Sequence, residues 1–273
     1  MTEGSNTSNT FWEIIDRDLP FLRRRSRLLR LRRGDQLLDL TGQPDHLYLV
    51  DSAVVSLGAG LVDGRSAEVA LLGRGALLGM CSAHGWGMMP YRATVQRSGD
   101  IWLFNVAGLQ STLLQSPVLG QYLRNALQAI FVQITQSAVC NRHHHIDQQL
   151  AKVLLQYHDL TGLDEIFLTQ QDLSDLLGVR REGITQAIGK LQLLGSIESR
   201  RGCVRIMRRS LLEQQSCECY QHIARTTPPP LYCSKVARPQ AAAAPHRRFS
   251  ATSKAAETAK TPDMAAALLS ALA

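Results

Sequence analysis

The sequence predicts an α+β fold in which a strand-rich region, one long helix and a helix-turn-helix with a β-hairpin wing follow one another. Eleven of the 20 glycines lie between residues 28 and 105, where short apolar runs alternate with turns. An amphipathic stripe then starts at Pro117, and no Gly or Pro interrupts residues 121–161. Two helical patterns around a glycine turn occupy residues 168–195, and their close spacing is typical of a helix-turn-helix.

Composition sets the broad class of the chain. With 273 residues and 45% hydrophobic content, the chain can bury a core. No stretch approaches the roughly 18 apolar residues that a membrane helix needs, and the polar start lacks the apolar segment of a signal peptide. We therefore expect a cytoplasmic protein without a membrane partner. Residues 1–10 and the Ala/Pro-rich residues 226–273 are predicted to be disordered, and the second segment carries a net charge of +4.

The strand-rich domain is expected at residues 11–116. A short helical lead opens it, with Phe11, Ile14 and Ile15 at helical spacing. The pair Asp63-Gly64 stands between two apolar runs and is the strongest hairpin signal in the chain. Many short strands with frequent turns are typical of a sandwich or a barrel.

A single long helix is predicted from Pro117, a residue well suited to a helix start. Its apolar positions recur at spacings of three or four residues, at Leu119, Leu123, Leu127, Ile130, Ile134 and Ala138. This stripe can pack on the strand-rich domain of its own chain, or it can pair with the same helix of a second copy. The sequence does not decide between the two.

Local signals then mark a helix-turn-helix. Thr169 is a suitable N-cap for the first helix, and Asp172 stands where a capping box places a carboxylate. Gly178 ends this helix as a left-handed cap requires, and the second helix begins near Arg180. Two short β-type runs within residues 196–206 predict a wing with a basic tip. A plain helical hairpin with solvated arginines is the alternative, but helix lengths, turn and wing together favour the helix-turn-helix.

Charge indicates that this motif binds nucleic acid. Residues 180–209 contain eight Lys/Arg against two Asp/Glu, although residues 141–225 as a whole are nearly neutral. A basic surface attracts phosphates, and the first residues of the second helix meet base edges in the major groove. Arg181 suits guanine, Glu182 suits cytosine and Gln186 suits adenine. Phosphate contacts suit Arg180, Thr169, Gln171 and Arg200 or Arg201. The full set expected to contact DNA is Thr169, Gln171, Arg180, Arg181, Glu182, Thr185, Gln186, Arg200 and Arg201.

Residues 168–187 resemble the winged helix-turn-helix of the Crp/Fnr family of bacterial transcription regulators. Cys217-Glu218-Cys219-Tyr220 is similar to one subgroup of that family, whose effectors are mostly unassigned. The resemblance covers residues 11–225. It implies a cyclic-nucleotide-binding-like sensor β-roll at 11–116, a dimerisation helix at 117–140 and a winged helix-turn-helix DNA-binding domain at 141–225.

The resemblance also implies a function. It is that of a homodimeric, sequence-specific DNA-binding transcription regulator with a ligand- or stress-responsive sensor domain. The expected partners are a two-fold symmetric site on double-stranded DNA, a second copy of the chain, and RNA polymerase. The alternative is a ligand-binding module that acts on a protein partner. We do not expect an enzyme, because the sequence has no G-x-S-x-G elbow, Walker loop or H-E-x-x-H motif.

The resemblance places an effector pocket at two short elements, Gly79-Met80-Cys81 and Tyr91-Arg92-Ala93. Family members that bind a cyclic nucleotide have a Gly-Glu pair in the first element and Arg-Ser/Thr-Ala in the second. Here Met80 stands at the Glu position and Tyr91 at the Arg position, while Arg92 is shifted by one residue to the opposite face of a strand. We therefore do not expect cAMP to bind in the usual way, and the effector is not identified.

Cysteines and histidines offer weaker signals. The six cysteines form no C-x-x-C pair, so we expect no zinc site and no iron–sulfur cluster. Consecutive histidines on a helix point in different directions, so His143, His144 and His145 are interpreted as solvated hinge residues. The alternative is a pH or metal switch that includes Cys140. Cys81 and Cys140 are expected to be buried small apolar residues and not redox sensors.

Overall fold

The computed structural model describes residues 7–38, 46–60, 66–80, 91–105 and 116–226. These residues all belong to one compact unit, Met1–Ala237. The predicted hairpin at Asp63-Gly64 and almost all of the predicted tail lie outside the described residues. None of the helices within the described ranges is both long enough and apolar enough to cross a membrane.

Two short helices open the chain, α1 (Thr7–Asp18) and α2 (Pro20–Arg25). Residues 7–10 were expected to be disordered, but they form the first turn of α1. The reason is the apolar face of this helix, which buries Phe11 and Ile15 in the core of the strand-rich domain and so fixes the turn that precedes them.

Eight strands follow within the described residues and form two four-stranded antiparallel sheets. They are β1 (Arg27–Leu31), β2 (Gln36–Leu38), β3 (His46–Val50), β4 (Val54–Gly60), β5 (Ser66–Leu72), β6 (Leu77–Leu78), β7 (Arg92–Arg97) and β8 (Gly99–Asn105). One sheet has the order β1-β8-β3-β6 and the other has the order β2-β7-β4-β5. The predicted strand-rich sandwich or barrel is thereby confirmed. One apolar cluster includes buried residues from both sheets and from α1.

The long helix α3 (Pro117–His143) closes this core. Ser116 caps it by accepting a hydrogen bond from the backbone N–H of Leu119 at 3.2 Å. Tyr122 donates its hydroxyl proton to the carbonyl oxygen of Gly75 at 2.7 Å, and burial raises the pKa of this phenol. Leu123 and Ile130 are buried in the same core, so the N-terminal part of the predicted stripe packs on its own domain.

A second domain follows the turn after α3. Its helices are α4 (Ile146–Thr161), α5 (Gln170–Leu177), α6 (Arg181–Leu193), α7 (Arg209–Gln215) and α8 (Glu218–Thr226). Its three-stranded sheet has the order β10-β11-β9, from β9 (Glu165–Ile166), β10 (Ile197–Arg200) and β11 (Cys203–Ile206). The sequence did not predict β9, because a strand of two residues is too short to show an alternating pattern. Its Ile166 pairs with Val204 of β11.

A buried polar network joins three helices of this second domain. The carboxylate of Asp159, on α4, is fully buried and lies 2.8 Å from a guanidinium nitrogen of Arg209, on α7. It also accepts a hydrogen bond from the hydroxyl of Tyr220, on α8, at 2.8 Å. Burial lowers the pKa of Arg209, but the charge and hydrogen bond of Asp159 together with the charges of Tyr220 and Glu213 outweigh it, so the net shift is upward. The network therefore holds α7 and α8 against α4.

Replacement of Arg209 by Met should destabilise the second domain by about 3 kcal/mol, because it leaves the buried Asp159 carboxylate without its cation. The midpoint of thermal unfolding measures the effect. Arg205→Met is the matched control, since Arg205 forms an exposed pair with Glu165 at 3.7 Å that contributes at most about 1 kcal/mol. Equal midpoints for the two variants would show that the Asp159 network does not stabilise the domain.

Candidate nucleic-acid interface

The interface starts with the N-terminus of α5. The Thr169 hydroxyl accepts a hydrogen bond from the backbone N–H of Asp172 at 3.1 Å, and the Asp172 carboxylate accepts the backbone N–H of Thr169 in return. This confirms the predicted capping box. Gly178 ends the helix with φ +64°, and its neighbour Val179 donates its backbone N–H to the carbonyl oxygen of Ser174 at 3.1 Å. The tight turn brings α6 immediately after α5.

Helix α6 has one buried face and one exposed face. Ile184, Ile188 and Leu191 pack in the same apolar cluster as the buried residues of α4. The opposite face begins with Arg181 and continues with Thr185, whose hydroxyl donates to the side-chain carbonyl of Gln170 at 3.0 Å. The start of α6 is therefore anchored to α5 while its polar side chains face outward.

Strands β10 and β11 form the predicted hairpin wing. They pair antiparallel from Ile197 opposite Ile206 to Arg200 opposite Cys203. Gly202 forms the tip of the wing. Its φ of +76° is a backbone conformation that residues with a side chain rarely adopt. The guanidinium of Arg200 lies 3.0 Å from the Glu198 carboxylate, and both groups are on the surface.

A groove of about 660 Å³ lies between α5, α6 and the wing. Six of the nine residues expected to contact DNA line it, namely Thr169, Gln171, Arg181, Thr185, Arg200 and Arg201. Arg180, Glu182 and Gln186 are not among the residues that line this groove. All nine side chains are exposed.

The electrostatics of this surface follow from its ion pairs. Arg180, Arg181 and Arg201 form no ion pair with any other described residue. Lys190 near the end of α6 differs, because its ammonium group pairs with Asp147. The surface therefore presents three arginine charges that are not neutralised by neighbouring carboxylates.

A contact that the sequence did not predict joins the first domain to this surface. Arg33, in the turn after β1, pairs with Asp172 and donates a hydrogen bond to the carbonyl oxygen of Phe167 at 2.9 Å. Burial raises the pKa of Asp172, but hydrogen bonds from Thr169 and Arg33 outweigh it and the net shift is downward. No local signal could have revealed this contact, because the two residues are far apart in the sequence.

The expected effector residues are brought together only in part. Met80, Tyr91 and Ala93 are buried in the apolar core of the first domain. Gly79 has φ +83°, and a side chain there would approach the carbonyl oxygen of His46 to 2.2 Å. Arg92 is half-buried on β7 between the buried Tyr91 and Ala93, as the predicted alternation requires. Cys81 lies outside the described residues.

The three histidines after α3 differ in environment. His143 and His145 are exposed, in line with the predicted hinge. His144 instead faces α8, where its Nδ1 lies 3.4 Å from the Cys219 Sγ. Nearby, a hydrogen bond with Cys217 lowers the pKa of Cys140 well below that of an ordinary thiol, although burial acts in the opposite direction. Cys140 is fully buried, as expected.

The fold and the interface define a protein with a winged helix-turn-helix. Residues 148–215 match the sequence model of the Crp-like helix-turn-helix domain. None of the curated proteins matches the chain in sequence.

Solved structures show a similar overall fold. A Crp/Fnr-family transcriptional regulator from Eubacterium rectale superposes with a TM-score of 0.60 at 18% identity, covering 75% of this chain and 96% of that chain. FixK2 from Bradyrhizobium japonicum superposes with a TM-score of 0.61 at 16% identity, and the match covers 70% of this chain and 98% of that chain. The c-di-GMP-responsive regulator CLP from Xanthomonas campestris superposes with a TM-score of 0.59 at 19% identity, and the match covers 71% of this chain and 98% of that chain. Residues 148–215 are therefore a Crp-like helix-turn-helix domain, and the described residues share the fold of these solved regulators.

Proposed function

We propose that the chain is a homodimeric regulator that reads a two-fold symmetric DNA site through the groove between α6 and the wing. The observation that carries the proposal is the clustering of six exposed polar or basic side chains around one groove beside the N-terminus of α6. This is the part of a helix-turn-helix that enters the major groove. The unpaired arginines there provide the positive charge that phosphates require.

Individual roles follow from position and chemistry. Arg181 at the start of α6 has a planar guanidinium that can donate two hydrogen bonds to guanine. Glu182 and Gln186, one turn apart on the same helix, suit cytosine and adenine. The start of α5 and the wing flank α6 on either side. We therefore assign phosphate contacts to Arg180, Thr169, Gln171, Arg200 and Arg201.

We assign the binding of a second copy of the chain to the exposed face of α3. Phe131 is 66% exposed and Val139 is 51% exposed on this helix, although both are large apolar residues. Their spacing of eight residues places them on one side of the helix, where the same side of a second copy can cover them. Helix-turn-helix dimers read half-sites about one DNA turn apart, and we assign this spacing to the two α6 helices of the proposed dimer. We assign RNA polymerase as the further partner of the DNA-bound dimer.

We assign the sensor role to the first domain. Its effector is not cAMP bound in the usual way. Met80 is fully buried in the apolar core and offers no carboxylate to a ribose hydroxyl. The pairing of Arg33 with Asp172 gives a route by which a change in the first domain reaches α5. An effector would act by favouring one of two positions of the DNA-binding domain.

Selection of genomic DNA fragments by the purified full chain, with and without cAMP, tests the proposal. Recovery of a two-fold symmetric site without cAMP is the expected result. Recovery only with cAMP would overturn the interpretation of Met80 and Tyr91. If no fragment is enriched in either condition and binding to random DNA does not fall with salt, the chain acts on a protein partner instead.

Replacement of Arg181 by Ala should weaken binding to the selected site by about 1–3 kcal/mol and largely spare random DNA, because a base contact is lost. Titrations of both DNAs at one salt concentration measure this difference. Arg201→Ala is the matched control, since loss of a phosphate contact weakens both DNAs alike and reduces the salt dependence. An equal loss on both DNAs in Arg181→Ala would contradict the base-reading role.

Replacement of Phe131 by Glu should convert the dimer to a monomer of 30.1 kDa, because it places a charge where the two copies meet. Sedimentation velocity measures the mass. The matched control is Met207→Glu, a change at another exposed apolar residue that lies away from α3. A Phe131→Glu protein that sediments like the control would exclude this face of α3 from the dimer.

A further inference from the structure

Four potential metal ligands meet at the junction of α3 and α8. Cys140 lies near the end of α3 and His144 follows that helix directly, while Cys217 precedes α8 and Cys219 lies in its first turn. We refer to these four residues as the hinge cluster. Their ligand atoms, three Sγ and one imidazole nitrogen, all lie within 4.8 Å of one another. The three cysteines are nearly or completely buried, with 0%, 3% and 0% exposure in chain order.

The spacing of these atoms fits one tetrahedral ion. Zn–S bonds of about 2.3 Å and Zn–N bonds of about 2.0 Å give tetrahedral edges of about 3.5 to 3.8 Å. The Sγ atoms of Cys140 and Cys217 are 3.6 Å apart. The Cys219 Sγ and the His144 Nδ1 are 3.4 Å apart. Both separations are those of neighbouring ligands around one zinc ion.

Local sequence spacing explains why Cys140 and His144 face the same point. Cys140 and His144 are four residues apart, which places them one above the other on one side of a helix. The side-chain amide of Gln149 donates hydrogen bonds to the carbonyl oxygens of Cys140 and His144, at 3.4 and 2.8 Å. This amide fixes the end of α3 and therefore the direction of both side chains.

The residues around the hinge cluster also favour metal binding. The Nε2 of His144 lies 3.3 Å from the Glu218 carboxylate, so the ring nitrogen opposite the ligand nitrogen has an acidic partner. A metal-binding histidine commonly has such a partner, which fixes its tautomer and ring orientation. The Gln136 amide donates to the Cys219 Sγ at 3.0 Å. Lys152 is buried on the adjacent α4 and interacts electrostatically with Cys140, so it offsets thiolate charge.

We propose that Cys140, His144, Cys217 and Cys219 bind one Zn²⁺ ion in a closed, tetrahedral Cys₃His site. Four protein ligands leave no open position, so the site is structural and not catalytic. The thiols lose their protons to solvent as the ion binds. An iron–sulfur cluster fits less well, because its ligands bind separate irons and do not converge on one point.

The site has a mechanical consequence. Its ligands come from the end of the long helix and from the last helix of the DNA-binding domain, on both sides of the turn after His143. A bound ion would hold α8 against α3 and fix the angle at which the DNA-binding domain leaves the long helix. The inference does not depend on the proposed function, because metal binding is measured without DNA.

The test uses the full chain without an affinity tag, purified under reducing conditions and dialysed against Zn²⁺. Elemental analysis should find one zinc per chain. Replacement of zinc by Co²⁺ should give the intense thiolate-to-cobalt and tetrahedral d–d absorption bands of a three-sulfur site. These two measurements on the unaltered protein decide the proposal even if a variant fails to fold.

Variants identify the ligands. Cys219→Ser and His144→Ala should lose stoichiometric zinc, whereas Cys203→Ser should keep it, because Cys203 lies on the wing away from the hinge cluster. Glu218→Gln should weaken zinc binding about 10- to 100-fold, as expected for the partner of a ligand histidine. Circular dichroism confirms that each variant is folded.

Three results would overturn the zinc site. One is a zinc content far below one per chain together with no cobalt–thiolate absorption. Another is full zinc retention by folded Cys219→Ser and His144→Ala. The third is a Cys140–Cys217 disulfide, detected by mass spectrometry without reductant, in protein that takes up no zinc. A disulfide requires the two Sγ atoms to close from 3.6 Å to about 2.05 Å.

Discussion

The continuity of helix α3 is the constraint on which the arrangement of both domains depends. Its first half has to close the apolar core of the strand-rich domain, as the burial of Leu119 and Leu123 shows. Its second half extends past that core to Cys140, beside α8 of the DNA-binding domain. Because a helix has a fixed pitch, the residues packed on the strands determine which residues face α8 and which face solvent. Phe131 is exposed for this reason, and it remains available to a second copy.

The rest of the chain contacts the DNA-binding domain through the apolar residues Val54 and Leu71 and at two further places. At one, Arg33 pairs with Asp172, and Gly178 at the end of α5 lies so close to Ala67 of β5 that an added side chain would clash. At the other, the end of α3 packs on α8. At the first place Arg33 contacts the capping box of α5 directly, because its partner Asp172 is also the acceptor for the Thr169 backbone N–H. The second place contains the hinge cluster, where the buried Cys140 lies beside Cys217 and Cys219.

Local features of the sequence were sufficient for most of the fold and for the elements that surround the groove. The capping box at Thr169, the left-handed turn at Gly178 and the wing tip at Gly202 each depend on neighbouring residues, so their patterns were readable. Contacts between distant segments were not readable. Arg33 has no signal that points to Asp172, and Cys140 has none that points to Cys217. The prediction of no zinc site rested on the absence of C-x-x-C spacing. That criterion detects only metal ligands that lie close together in the sequence.

The distribution of ion pairs explains how a nearly neutral domain presents a basic interface. Three of the acidic groups form ion pairs that do not involve the groove arginines: Asp159 with Arg209 in the interior, Asp172 with Arg33 at the domain junction, and Asp147 with Lys190. Within the described part of the chain, Arg181 at the start of α6 and Arg201 at the wing tip form no ion pair, whereas Arg200 pairs with Glu198. Net charge therefore says little about this domain, since most of the chain's excess lies in residues 226–273. The arginines that form no ion pair with a described residue therefore concentrate positive charge on the surface around the groove.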